Sequence, residues 1–162
     1  MPKNRYRLRG THRAPPTIMI RSLLVALDDS PRARTVMRVA GELARAFDAR
    51  VFLFRIVDVP HEFPPAAHVR RDELEDILIE RAREAVVALA FQFPEAIVEV
   101  VADSGNAPWR LVIEKAERVD VDVIVIGSHG FGGLDRFFGT NAARIADRAH
   151  RHVFVVHDRE GS

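Results

Sequence analysis

Ile126-Gly127-Ser128-His129-Gly130-Phe131-Gly132-Gly133-Leu134-Asp135-Arg136-Phe137-Phe138-Gly139-Thr140-Asn141-Ala142 links an apolar run to a helical pattern. Upstream, Val121 to Ile126 is apolar except for Asp122. Downstream, Ala142, Ile145, Ala146 and Ala149 recur on one helical face. The stretch therefore reads as strand, glycine-rich loop, helix. Glycine lets the backbone approach a ligand closely and take up positive φ. A helix start offers free N–H groups and the positive end of a dipole. Gly127, Gly130, Gly132 and Gly133, followed by Gly139-Thr140-Asn141 at the helix start, thus suit an anion, most often a phosphate. The competing reading is a long surface loop with turn glycines.

The loop is not a Walker A motif, which places Lys and Ser/Thr after its last glycine. The chain's two lysines, Lys3 and Lys115, are both remote from it in sequence. Nor is it a Rossmann fingerprint, which follows the first strand; there the chain reads Leu27-Asp28-Asp29-Ser30. A phosphate here would rest on backbone N–H groups and the hydroxyls of Ser128 and Thr140, a nest-type site. Arg136 or a metal ion would add charge. His129 reads equally as a phosphate contact or as a polar loop side chain. Such a site binds nucleotide but is poorly equipped to hydrolyse it, because phosphoryl transfer needs charge stabilisation and a positioned nucleophile. No catalytic residue is assigned.

Outward from the loop, strands and helices alternate. Ser22 to Leu27, Val51 to Val57, Ala96 to Ala102 and His152 to His157 are strand-length runs, rich in apolar residues. The helix after the first strand is expected to use Ser30 as cap and Pro31 in its first turn. Its buried face is Val36, Val39, Ala40, Leu43, Ala44 and Phe47. Leu74, Ile77, Leu78, Ala82, Ala85, Val86, Leu89 and Phe93 mark a long second helix. A third runs from Asn106 and Pro108 to about Arg118, with Trp109, Val112, Ile113 and Ala116 inward. The fourth ends near His150. Continuous apolar strands separated by helices are the mark of a parallel sheet covered on both faces. Ligands of such sheets bind beyond the carboxyl ends of the strands. Asp28, Asp29, Asp58, Asp103, Ser128 and His157 stand at those ends.

At 162 residues, 48% of them apolar and 29% charged, the chain is of single-domain size and globular composition. No apolar run approaches the roughly 20 residues of a membrane span. There is no cysteine, which excludes disulfides and thiol chemistry; a cytoplasmic setting fits. The net charge of +1 is unevenly placed. Lys3, Arg5, Arg7, Arg9, Arg13 and Arg21 precede the first acid, leaving 18 basic against 23 acidic residues in the remainder, a net −5. An acidic body argues against nucleic-acid binding by the fold. Residues 1–18 read as a basic, disordered tail. The readings of that tail are an arm for nucleic acid or acidic lipid, and an inert extension before Met19. Residues 19–158 form the domain and 159–162 a short C-terminal tail.

Two other chemistries compete. Asp28, Asp29, Asp103 and Ser128 stand where a phosphoacceptor receiver domain would carry its acids and hydroxyl. The lysine that pattern requires after strand five is absent, the chain reading Val156-His157-Asp158-Arg159. The histidines form no metal site: His61 and His68 sit in a loop, while His150, His152 and His157 surround strand five without a spaced carboxylate or cysteine.

Taken together, the residues resemble the universal stress protein family over about Ile20 to Asp158. The resemblance rests on Leu23-Leu24-Val25-Ala26-Leu27-Asp28-Asp29-Ser30, the Gly105-Asn106-Ala107-Pro108 turn, and Val123-Ile124-Val125-Ile126-Gly127-Ser128-His129-Gly130. Gly139-Thr140-Asn141-Ala142 and Val153-Phe154-Val155-Val156 complete it. It implies a five-stranded parallel α/β fold of strand order 3-2-1-4-5 with helices on both faces, of the adenine nucleotide alpha hydrolase-like kind. It further implies a homodimer paired through strand five and a cytoplasmic role in survival under stress. Family members divide into ATP binders and non-binders, and the binders carry Gly-x2-Gly-x9-Gly-Ser/Thr.

Carried onto this chain, Gly127, Gly130, Gly139 and Thr140 would hold phosphates, with Asn141 completing the helix start. Asp28 would sit at the adenosine side beside Ala26. Ile56 would offer backbone to the adenine, and Ile126 would line the base pocket. Here eight residues separate Gly130 from Gly139, not nine. One branch of the family looks similar, with eight residues and then Gly-Ser/Thr-Asn-Ala, and its members are regarded as nucleotide binders. The expectation is a stress-response regulator that binds ATP, with or without Mg, and hydrolyses it slowly at most. The alternative is a non-binding dimeric interaction module.

Overall fold

The computed structural model describes residues 19–60, 70–103, 107–128 and 141–157. The basic tail, the Pro-rich connection over 61–69, most of the glycine loop and the C-terminal tail lie outside them. Elements follow in the order β1 (Ser22–Leu27), α1 (Ala33–Phe47), β2 (Arg50–Asp58), α2 (Arg71–Leu89), β3 (Ile97–Asp103), α3 (Pro108–Arg118), β4 (Val123–Gly127), α4 (Asn141–Arg148) and β5 (His152–Val156). A 3-10 turn, Ala90–Gln92, extends α2. The strands form one parallel sheet of order β3-β2-β1-β4-β5, as expected.

Side chains alternate across the sheet, so each strand feeds two cores. Leu23, Val25, Leu53, Val123 and Val125 pack under α1 and α2, against Val36, Met37, Ala40 and Val86. Leu24, Phe52, Phe54, Ile124 and Ile126 pack under α3 and α4, against Val112, Ala116, Ala142 and Ile145. Burial on both faces is why β1 and β4 read as unbroken apolar runs. Helix α1 ends at Asp48 with φ 51°, and Asp120, between α3 and β4, has the same φ. Aspartate visits this left-handed region more readily than bulkier residues.

The amino ends of three strands are tied by Asp122. Its Oδ2 accepts from the backbone N–H of Arg21 (2.7 Å) and of Ser22 (3.0 Å), and from Ser22 Oγ (3.0 Å). Its own carbonyl accepts from His152 N–H at 3.3 Å. The one polar residue inside the fourth apolar run therefore joins β1, β4 and β5. The Arg21 amide bond, foremost, holds its carboxyl below the ordinary 3.8, against a smaller upward push from burial.

Several local expectations are corrected. Ser30 does not cap α1: Arg32 occupies the N-cap position and makes no side-chain cap bond. The Ser30 hydroxyl donates to Asp28 Oδ1 instead. Phe47, expected inward, is 45% exposed, and Ile77 and Ala85 from the apolar pattern of α2 also face outward. Phe93 lies beyond α2 and its 3-10 turn. In α3 the buried positions are Val112, Lys115 and Ala116. Lys115 is only 5% exposed because its ammonium is paired with Glu99 of β3. Helix α4 stops at Arg148, and Ala146 is exposed.

Candidate functional site

The strand order reverses direction between β1 and β4, and ligands of open α/β sheets sit at that point. The register shows why a depression forms there. Ala26 of β1 pairs with Phe54 of β2 on one side and Ile126 of β4 on the other. These three share a row on the α3/α4 face. A small residue between two large ones leaves a dip in that row. Ile56 continues the wall toward the strand end, and Trp109 and Val112 of α3 with Ala142 and Ile145 of α4 close it over. The cleft encloses about 80 Å³.

Six residues expected at the site line this cleft: Ala26, Asp28, Ile56, Ile126, Gly127 and Asn141. Ser128 is not brought into its lining; it is buried, and its N–H donates to the carbonyl of Val156 at 2.8 Å. Gly130, Gly139 and Thr140 fall outside the described residues. A Cβ on Gly127 would meet Val36 Cγ2 at 3.4 Å, and its φ is not in the left-handed range. That distance is ordinary van der Waals contact, so within the described residues neither space nor backbone conformation demands glycine here.

Asp28 is held in place by its neighbour. Its Oδ1 accepts both the Ser30 N–H at 3.0 Å and the Ser30 hydroxyl at 2.6 Å. Both bonds fall on one carboxylate oxygen. A carboxylate accepts through two oxygens, each with two lone pairs, so Oδ2 can meet the hydroxyls of a ligand. Opposite in charge, Arg32 at the start of α1 lines the same cleft.

Arg32, Phe54, Pro108 and Trp109 were not anticipated as lining residues. Phe54 and Ile126 become neighbours of Ala26 only through register, which no local pattern prints. Trp109 carried a signal, the Pro108 that opens α3 beyond a strand's carboxyl end. Its indole lies under two guanidiniums, Arg148 at 4.8 Å and Arg110 at 5.1 Å from the ring centre. Cations over an indole face are attracted by its quadrupole, so the Arg148 contact fastens α4 to α3 beside the cleft.

The observed topology also decides against the receiver arrangement. Receiver sheets run 2-1-3-4-5, with the third strand beside the first. Here β2 lies between β1 and β3, so Asp103 ends an edge strand away from Asp28.

The family model described as the universal stress protein family matches residues 19–157. The chain belongs to that family. It is 30% identical over 143 residues to universal stress protein A homolog 1 of Coxiella burnetii, covering 85% of this chain and 96% of the relative. Among solved structures, the universal stress protein UspA from Lactobacillus plantarum superposes with a TM-score of 0.70 at 23% identity, over 86% of this chain and 99% of that one. The universal stress protein of Archaeoglobus fulgidus in complex with dAMP gives a TM-score of 0.58 at 22% identity, over 85% and 98% of the two chains. At these identities the structural matches establish the fold.

Among the described residues no helix is long and apolar enough to cross a membrane. Nor does any group of three or more His, Asp or Glu among them stand ready to hold a metal.

Proposed function

We propose that this universal stress protein binds an adenine nucleotide, ATP foremost, in the cleft over Ala26, and that occupancy serves as a signal in stress regulation. The observation that carries the reading is the row Phe54–Ala26–Ile126 with Asp28 at its end. An apolar slot with one oriented carboxylate fits a flat base joined to a sugar diol. Carboxylates commonly take ribose hydroxyls in α/β folds. Phosphates would extend toward Gly127, Asn141 and the glycine loop, with Gly130, Gly139 and Thr140 in the roles the family pattern assigns them. Mg would accompany the phosphates where a triphosphate is bound. The dAMP complex of the A. fulgidus relative is in keeping with this ligand class. Any ATP hydrolysis in this reading is slow, and no residue is given a catalytic role.

A second reading, a dimeric interaction module, is favoured by β5. It is a sheet edge, and its Phe154 is 43% exposed. Apolar edges invite pairing with another chain. Pairing through this edge is compatible with nucleotide in the cleft; the alternative is a module that pairs and binds no nucleotide.

Mass spectrometry of the gently purified protein tests the main reading, and is expected to find adenine nucleotide. Protein that is empty, and whose only tryptophan, Trp109, keeps its emission unchanged on addition of ATP, would leave the interaction module alone standing.

A further inference from the structure

We infer that Arg32 makes the cleft prefer phosphorylated nucleosides over free ones. This rests on the nucleotide reading above and adds a specificity-determining side chain to it. Among the described residues that line the cleft, Asp28 is the only acid and Arg32 the only cation. Asn141 is polar but neutral, and the side chains of the walls are apolar. A phosphoryl group carries about −1.5 to −2 charge at neutral pH. Placed in a cleft that already holds a carboxylate, it is repelled unless a cation stands nearby. Lysine does not do this in the described part of the cleft, because Lys115 is not among its lining residues.

Arg32 suits the task for three reasons. It lies at the start of α1, four residues after Asp28, so one turn of chain sets both charges at the same cleft. Its guanidinium presents a planar fork that matches phosphate oxygens in pairs. It is half-buried, so salt screens it less than a surface cation. Neither the glycines nor the helix starts supply a full charge. Arg32 therefore separates ligands by their phosphate, while Asp28 and the apolar row bind what all adenine nucleosides share.

Calorimetric titration of the full chain with adenosine, AMP and ATP tests this, on wild type, Arg32→Gln and Arg32→Lys. Hydrogen bonds to charged groups correspond to about a 10- to 100-fold change in affinity. Arg32→Gln is expected to lose that factor for AMP and ATP while holding adenosine within about twofold, and Arg32→Lys to regain part of it. Circular dichroism melting of each variant establishes that the fold is kept. Equal losses for adenosine and AMP would mean that Arg32 only shapes the cleft, and no loss for either would place the phosphate elsewhere; both overturn the inference and leave the nucleotide reading intact. Wild type that binds none of the three overturns that reading and this inference with it.

Discussion

Asp122 shows how much one residue can decide. It interrupts the fourth apolar run, yet its carboxylate gathers three donors from the first strand's start. Those bonds favour the ionised form, so its folded pKa lies below 3.8. The sign follows: a depressed carboxyl contributes stability that is present above the unfolded value and lost as pH falls through the folded one. Asp122→Asn is therefore expected to be less stable than wild type in urea melts at neutral pH, with the gap closing below pH 3.8. A gap that persists unchanged into acid would show that the carboxylate's charge is irrelevant. Glu99 and Lys115 make a second case. Glu99 also accepts from Arg118 at 2.6 Å, so it keeps a partner if Lys115 is removed. The ammonium of Lys115 is buried and, among the described interactions, depends on Glu99 alone. Removing one member of a buried pair leaves an uncompensated charge and costs about 3 kcal/mol or more. Glu99→Ala is expected to cost that much, and Lys115→Met about 1 kcal/mol, since an apolar chain of similar length fills the space. Equal costs in denaturant melts would contradict the asymmetry.

At the scale of elements, the strands were legible and the helix ends were not. Leu23, Leu24, Val25 and Leu27, with Val123 to Ile126, are buried on both faces, so their pattern was one unbroken run that needs no partner to be read. Helix ends depend on which local bond wins. The Ser30 hydroxyl could have capped α1 but bonds Asp28, and α1 begins three residues later, at Ala33. Helix α2 misled because its apolar residues are divided: Ala82 and Val86 enter the core while Ile77 and Val87 face outward. Lys115 was invisible as a core residue because its burial requires Glu99, a residue of another element. The same limit applies to the cleft. Asp28 and Gly127 stand at strand ends, where parallel sheets bind ligands, and Ala26, Ile56 and Ile126 were carried over from the family pattern. Phe54, Trp109 and Arg32 join the cleft only through register and helix packing. The outward face of β5 is a further element-level consequence. Phe154→Asp is expected to turn a two-fold dimer into monomer in light scattering, without loss of melting temperature. A wild-type chain that is already monomeric at micromolar concentration would contradict the pairing.

For the whole molecule, the sheet order sets where function can lie. The reversal between β1 and β4 opens a cleft between the start of α1 and the α3/α4 face, and the row Phe54–Ala26–Ile126 forms its floor. Filling the dip should close it without disturbing the second core beneath α1 and α2, because Ala26 faces the other way. Ala26→Leu adds three carbons to a residue that is only partly buried, and overpacking of this kind costs about 1–3 kcal/mol. The variant should remain folded, as circular dichroism can verify. The most direct measurement is then a calorimetric titration of ATP into wild type and Ala26→Leu. Wild type is expected to bind with saturable heat and the folded variant to give none. Equal binding by both proteins would place the nucleotide away from this cleft, and would contradict the function assigned to it.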